Sequence, residues 1–136
     1  MTKPKVLVAG TLPAIWTVQH LLGAEVDYLP ARSLNDALRA LEARPDMILA
    51  NPRFDESHML ELLEAARAHP ATRETPFVCF RLAPMPAGWR RSLEAAVLAL
   101  GAIAFVDLSA LERDRGRDAA EKELRQVVLS HLPLDR

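Results

Sequence analysis

"PDMILANPRF", residues 45 to 54, decides the fold. Met47 to Ala50 form a short, continuous apolar run between Pro45 and Pro52, too brief for a stable helix and without the polar alternation of a half-exposed strand. Such a run suits a strand buried on both faces of a parallel sheet. Strands of that kind carry functional groups at their carboxyl ends. This one ends at Asn51, an amide where a carboxylate would be the reactive group.

Toward the N-terminus, "KVLVAG" (5 to 10) reads as another buried strand. A helix follows from Pro13, with apolar positions Ile15, Val18, Leu21 and Leu22 and Gly23 as its close. "AEVDYLP" predicts a second strand stopped by Pro30, which cannot donate to a central ladder. Ser33 caps a second helix, Asp36 suits the positive end of its dipole, and Leu34, Ala37, Leu38 and Leu41 make one apolar stripe.

Beyond Asn51, "PRFDE" is a loop, and "SHMLELLEAARAH" is a helix with Met59, Leu62, Leu63 and Ala66 inward, stopped by Pro70. "TPFVCF" (75 to 80) is a fourth strand. After the Pro-rich "RLAPMPAG" comes a helix with the stripe Trp89, Leu93, Val97 and Leu100, closed by Gly101. "AIAFVDL" is a fifth strand. In "RDAAEKELRQVVLSHL" the residues Ala120, Leu124, Val127, Val128 and His131 share one side of a final helix. Five strand-helix units predict a doubly wound α/β fold, a five-stranded parallel sheet with helices on both faces, in a single domain over 1–136.

The 136 residues are 50% apolar, enough for a real core, and Lys plus Arg number 17 against 18 Asp plus Glu. A net charge of −1 provides no footprint for a nucleic-acid backbone or an anionic membrane, so neither is expected as a partner. No apolar run approaches the ~20 residues that span a bilayer, and the start "MTKPKVLVAG" has no signal-peptide pattern; the expected location is cytoplasmic. The single cysteine, Cys79, reads as a buried, inert thiol. His20, His58, His69 and His131 are scattered without metal-ligand spacing, so neither metal nor cofactor is expected.

"SLNDALRALEARPDMIL", "LLEAARAHPATRETPFV" and "ALGAIAFVD", in this order and spacing, resemble the receiver domains of bacterial two-component response regulators over nearly the whole chain. The resemblance implies a flavodoxin-like sheet with strand order 2-1-3-4-5. It also implies a phosphorylation site: acidic residues after the first strand holding Mg²⁺, an acceptor Asp after the third, Thr or Ser after the fourth, and Lys after the fifth. Here those positions are Gly10 and Thr11, Asn51, Arg81, and Leu108 followed by Ser109. Asp55 and Asp107 lie past a strand end or on the wrong parity to restore the set. An amide cannot serve as the phosphoryl acceptor, and a hard divalent cation lacks anionic ligands. The family's switch-aromatic position is Phe105, without a hydroxyl, and the segment "RLAPMPAGWRRS" is longer than usual. The chain is therefore similar to a degenerate pseudo-receiver.

Individual residues keep alternatives. Asn51 is either a polar group of a ligand pocket or a side chain satisfying backbone groups at a strand end. Arg81 either holds an anionic ligand or pairs with Asp55 or Asp107. Trp16 and Trp89 fall near apolar stripes, so core packing is the default, with a partner contact the alternative for Trp89. The surface on which receivers commonly dimerise, fourth helix, fifth strand and fifth helix, supplies Arg90, Arg91, Glu94, Arg117, Glu121 and Arg125 as a candidate contact patch. The leading expectation is a phosphorylation-independent signalling module that binds proteins, with a second copy among the partners considered. The alternative is a sensor of a small anionic molecule at the carboxyl edge of the sheet. No catalytic arrangement of Ser, His, Cys or paired carboxylates can be assembled there, so an enzyme is not expected.

Overall fold

A computed structural model describes residues 3–132. The elements are β1 (Lys5–Ala9), α1 (Leu12–Leu22), β2 (Asp27–Ala31), α2 (Leu34–Leu41), β3 (Met47–Ala50), α3 (Met59–Ala68), β4 (Phe77–Arg81), α4 (Ala87–Ala99), β5 (Ala104–Asp107), α5 (Leu108–Arg115) and α6 (Arg117–His131). All neighbouring strands pair in parallel, in the order β2-β1-β3-β4-β5, as the alternation of elements predicts.

The continuous apolar runs are explained by two cores. Val6, Val8, Met47, Leu49, Val78, Phe80 and Val106 project to one face and pack with Ala14, Ile15 and Val18 of α1 and with Ala120, Leu124 and Val128 of α6. Leu7, Ile48, Ala50, Phe77 and Cys79 project to the other, against Ala37 and Leu41 of α2, Leu62, Leu63 and Ala66 of α3, and Val97 of α4. Alternate residues of β1, β3 and β4 thus each meet a helical layer, so the positions between Lys5 and the strand ends are apolar on both faces. Cys79 is fully buried with its Sγ 3.3 Å from Met59 Sδ. Burial pushes its thiol far above the ordinary range, which leaves it unreactive.

Four expectations are corrected. Pro30 does not stop β2, because the strand runs on to Ala31. The Asp27 amide donates to Pro4 O and Ala31 O accepts from the Gly10 amide, so residues 27, 29 and 31 face β1 and Pro30 faces the open edge. A missing donor there interrupts no ladder.

The segment between the fifth strand and the final helix, for which the sequence predicts no element, is itself helical over Leu108–Arg115. α5 follows β5 directly, its first turn capped by Asp107 Oδ1 accepting from the Ala110 amide at 3.0 Å, and Gly116 at φ 90 breaks it from α6. His131 lies on the exposed side of α6, off the stripe of Ala120, Leu124 and Val128. Both tryptophans are exposed, Trp16 to 60% and Trp89 to 72%, so the core-packing default fails for each.

The turn between β3 and α3 holds Asp55, Glu56 and Ser57 in succession at positive φ, all non-glycine. Such residues are held there only when the surroundings over-determine them. Phe54, fully buried in the core beside α2 and α3, anchors one side, and Asp55 Oδ2 accepts from the Leu34 amide at 2.7 Å on the other.

Candidate functional site

Four strands end at the carboxyl edge of the sheet, where Gly10 adjoins Asn51 and Arg81 adjoins Asp107. Gly10 follows β1, and a Cβ placed on it would meet Ala14 Cβ at 3.0 Å and Asn51 Cβ at 3.3 Å. The absent side chain is what lets α1 and the end of β3 approach. Thr11 accepts from the Ala14 amide at 3.4 Å and caps α1, so its hydroxyl serves the helix.

Asn51 is only 4% exposed. Its amide nitrogen of the backbone donates to Ala9 O, its carbonyl accepts from the Phe54 amide, and its side-chain Oδ1 accepts from the Arg53 amide at 2.9 Å. The side-chain oxygen thus closes a turn onto the backbone two residues ahead, the habit that makes Asn frequent in turns. Of the two readings open in the sequence, this geometry is the backbone-satisfying one.

Arg81 and Asp107 are register partners on adjacent strands, which puts their side chains on one face of the sheet. Both are buried, Arg81 to 4% exposure and Asp107 to 7%. Arg81 Nη1 donates to Asp107 Oδ2 at 2.9 Å, and Arg81 Nη2 donates to Ala83 O in the β4–α4 connection. Arg90 Nε, from the first turn of α4, donates to the same Oδ2 at 2.9 Å, while Oδ1 caps α5. One carboxylate therefore joins β4, α4, β5 and α5. Arg81 Nε has no hydrogen-bond partner in this arrangement. Charge-assisted bonds of this length are the strong kind, and in a dry setting they matter chiefly because neither charge can be left alone.

Leu108, next in the chain, is buried in the core that α1 and α6 cover. Phe105, two residues before Asp107, is half-buried beside Leu93 and Leu100 of the opposite core.

The position of Asp107 at the strand end, rather than past it, lets it neutralise Arg81. Of the readings open for Arg81 in the sequence, the structure has the ion pair, with Asp107 and not Asp55 as the partner, because the two are register neighbours on β4 and β5. Among the described residues no group of three His, Cys, Asp or Glu side chains comes together as a metal site.

No protein-family model matches the sequence, and no curated protein matches it. Solved structures do. A response regulator from Hahella chejuensis superposes with a TM-score of 0.74 at 17% identity, over 98% of this chain and 98% of that one. The chemotaxis response regulator CheY4 of Vibrio cholerae gives 0.69 at 22% identity, over 93% and 99%. The chain has the receiver fold. A third match, the receiver domain of a sensor histidine kinase from Pseudomonas aeruginosa, gives 0.70 at 18% identity over 96% and 98%, and carries a magnesium ion coordinated in its active-site cleft.

A Mg²⁺ ion of that kind does not fit the residues present here. Gly10 and Thr11 supply no carboxylate, the Asn51 oxygen is engaged by the Arg53 amide, Asp55 is engaged by the Leu34 amide, and Asp107 is bound by two guanidinium groups. Hard cations of this size require anionic oxygen ligands.

The six charged residues expected to form one contact patch separate into two groups. Arg90, Arg91 and Glu94 lie on α4, with Arg90 Nη2 3.7 Å from Glu94. On α6, Arg117 pairs with Glu121 at 3.4 Å, His20 of α1 lies 3.9 Å from Glu121, and Arg125 pairs with Glu25 at 2.8 Å and donates to Leu21 O. These three therefore lie on the α1 side, where Arg117 and Glu121, with Trp16, Thr17 and His20, border a shallow groove. The helix expected as the fifth is α6, and its charged residues tie down the α1 side instead of extending the α4 surface.

The large apolar groups that α4 and the turn into β5 expose are Trp89, Leu98 and Ile103. No described helix is long and apolar enough to cross a membrane.

Proposed function

We propose that this chain is a phosphorylation-independent pseudo-receiver, a non-enzymatic signalling module of the cytoplasm that acts by binding proteins. One observation carries the reading: every group at the carboxyl edge that could take part in phosphoryl chemistry is already committed to holding the fold. The Asn51 oxygen closes its own turn, the Thr11 hydroxyl caps α1, and the Arg81 guanidinium is neutralised by Asp107. The same commitment weighs against a sensor of small anions, since a ligand would have to displace Asp107 from Arg81.

Incubation with a small-molecule phosphodonor and Mg²⁺ should leave the intact mass unchanged. Asn51→Asp should remain unmodified as well, because the new carboxylate still lacks a metal beside it. A stable phosphoryl adduct on the unmodified chain would refute the proposal.

The candidate surface for protein binding is α4 with the turn into β5, where Trp89, Leu98 and Ile103 are exposed. Large exposed aromatic groups with Arg neighbours are typical interface anchors. The partner considered first is a second copy of the chain. Trp89→Ala should change folding stability by no more than about 0.5 kcal/mol, since the indole packs little in the monomer. It should nevertheless lower self-association in sedimentation velocity; unchanged association would move the docking surface elsewhere.

A further inference from the structure

We infer that Arg90 is a releasable latch that holds the first turns of α4, and with them Trp89, against the end of β5. The inference concerns how α4 is held and stands whether or not that helix docks a partner.

The start of α4 has little else to fix it. Pro86 precedes the helix and provides no side-chain cap, and the first turn contains no acidic residue. It carries Arg90 and Arg91 at the end where the helix dipole disfavours cations. Within Ala87–Ala99 the sole fully buried residue is Val97, near the far end, and Leu93 is half-buried. Hydrophobic packing therefore secures the C-terminal half of α4 and leaves the N-terminal half to polar contacts.

Those contacts converge on Arg90. Its Nε donates to Asp107 Oδ2 at 2.9 Å, a fixed point because Asp107 is also held by Arg81 and by the Ala110 amide. Its Nη2 lies 3.7 Å from Glu94 one turn along the same helix. Arg90 thus stands between a carboxylate on the sheet and a carboxylate on its own helix. On Asp107 it ties α4 to β5. On Glu94 alone it satisfies its charge without holding the helix to anything.

Two details make the exchange feasible. Arg90 is about a third exposed, so it leaves Asp107 without burying a bare cation. Asp107 stays neutralised by Arg81, whose Nη1 keeps its own bond to Oδ2. Trp89 immediately precedes Arg90 and is 72% exposed, so the latched and released states present that indole differently.

Hydrogen exchange on the intact chain separates the states. Arg90→Gln should raise exchange at amides 90 to 93 by roughly tenfold, the equivalent of one charge-assisted hydrogen bond, with β3 amides unchanged. Arg90→Lys, which keeps the charge but loses the Nε donor, should give most of the same increase. Glu94→Gln removes the competing partner and should slow exchange there or leave it unchanged. Faster α4 exchange in Glu94→Gln would overturn the latch. So would a folded Arg90→Gln protein with unaltered α4 exchange, or one in which β3 loosens equally.

Discussion

Asp107→Ala is expected to destabilise the fold by about 3–5 kcal/mol, the range found when one member of a buried ion pair is removed. The cost comes from what remains. Arg81 is buried, its Nη1 loses its one carboxylate, and Arg90 turns a second cation toward the same space. The Ala110 amide also loses its cap, worth about 1 kcal/mol. Against a typical total of about 5–15 kcal/mol for a domain, this is a large share. Urea denaturation of the purified variant measures it.

The paired variant Arg81→Met with Asp107→Leu should recover most of that loss. Apolar replacements fill the volume and remove both desolvation penalties, so buried ion pairs replaced together are often neutral or better. A single Asp107→Ala costing under about 1 kcal/mol, or a double variant no better than the single, would show that the charges at this site are well hydrated and do not constrain one another.

The second large effect is at Phe54. Phe54→Ala should cost about 3–5 kcal/mol, read by the shift of the urea midpoint, because a fully buried ring is lost and the cavity lies between secondary elements that cannot easily collapse. Phe54 also fixes the three left-handed residues that follow it. Loss of the ring should therefore free the turn locally, with faster exchange at residues 55 to 58 than in β3. Phe54→Leu should restore much of the stability by refilling the space. A Phe54→Ala protein within about 1 kcal/mol of the original would mean that the turn is held by Asp55 and its bond to the Leu34 amide instead.

Much of this architecture is legible in the residues because it depends on local patterns. The apolar runs at 6–9, 47–50 and 77–80 are unbroken since each strand has a helical layer on both sides, and Ser33 caps α2 by its own hydroxyl. What escapes reading is non-local or a matter of angle. Each four-residue step along a helix overshoots a full turn by about 40°, so two steps from Val97 carry Trp89 far from the buried direction although it keeps the spacing of the stripe. Trp16 sits one residue beyond Ile15, about 100° around α1, and so points away from the core. Half of α5 is charged and Leu108 is its one buried side chain, so it lacks the apolar stripe that would reveal it.

The candidate site divides in the same way. Asn51, Gly10 and Arg81 depart from the residue types of the receiver pattern, and that departure is legible by residue type alone. The role of Asp107 depends on the register of β4 with β5 and on the approach of α4, neither of which local spacing encodes.

Pro30 in the outermost strand has a consequence for assembly. The edge of a sheet is a ready template for a further strand from another molecule, through its row of free donors and acceptors. β2 turns residues 28 and 30 to that side, and at Pro30 there is no N–H to offer. A strand added at β2 would thus meet only one outward N–H, that of Tyr28, within Asp27–Ala31, and a single imino acid makes this edge a poor template for ribbon-like polymerisation.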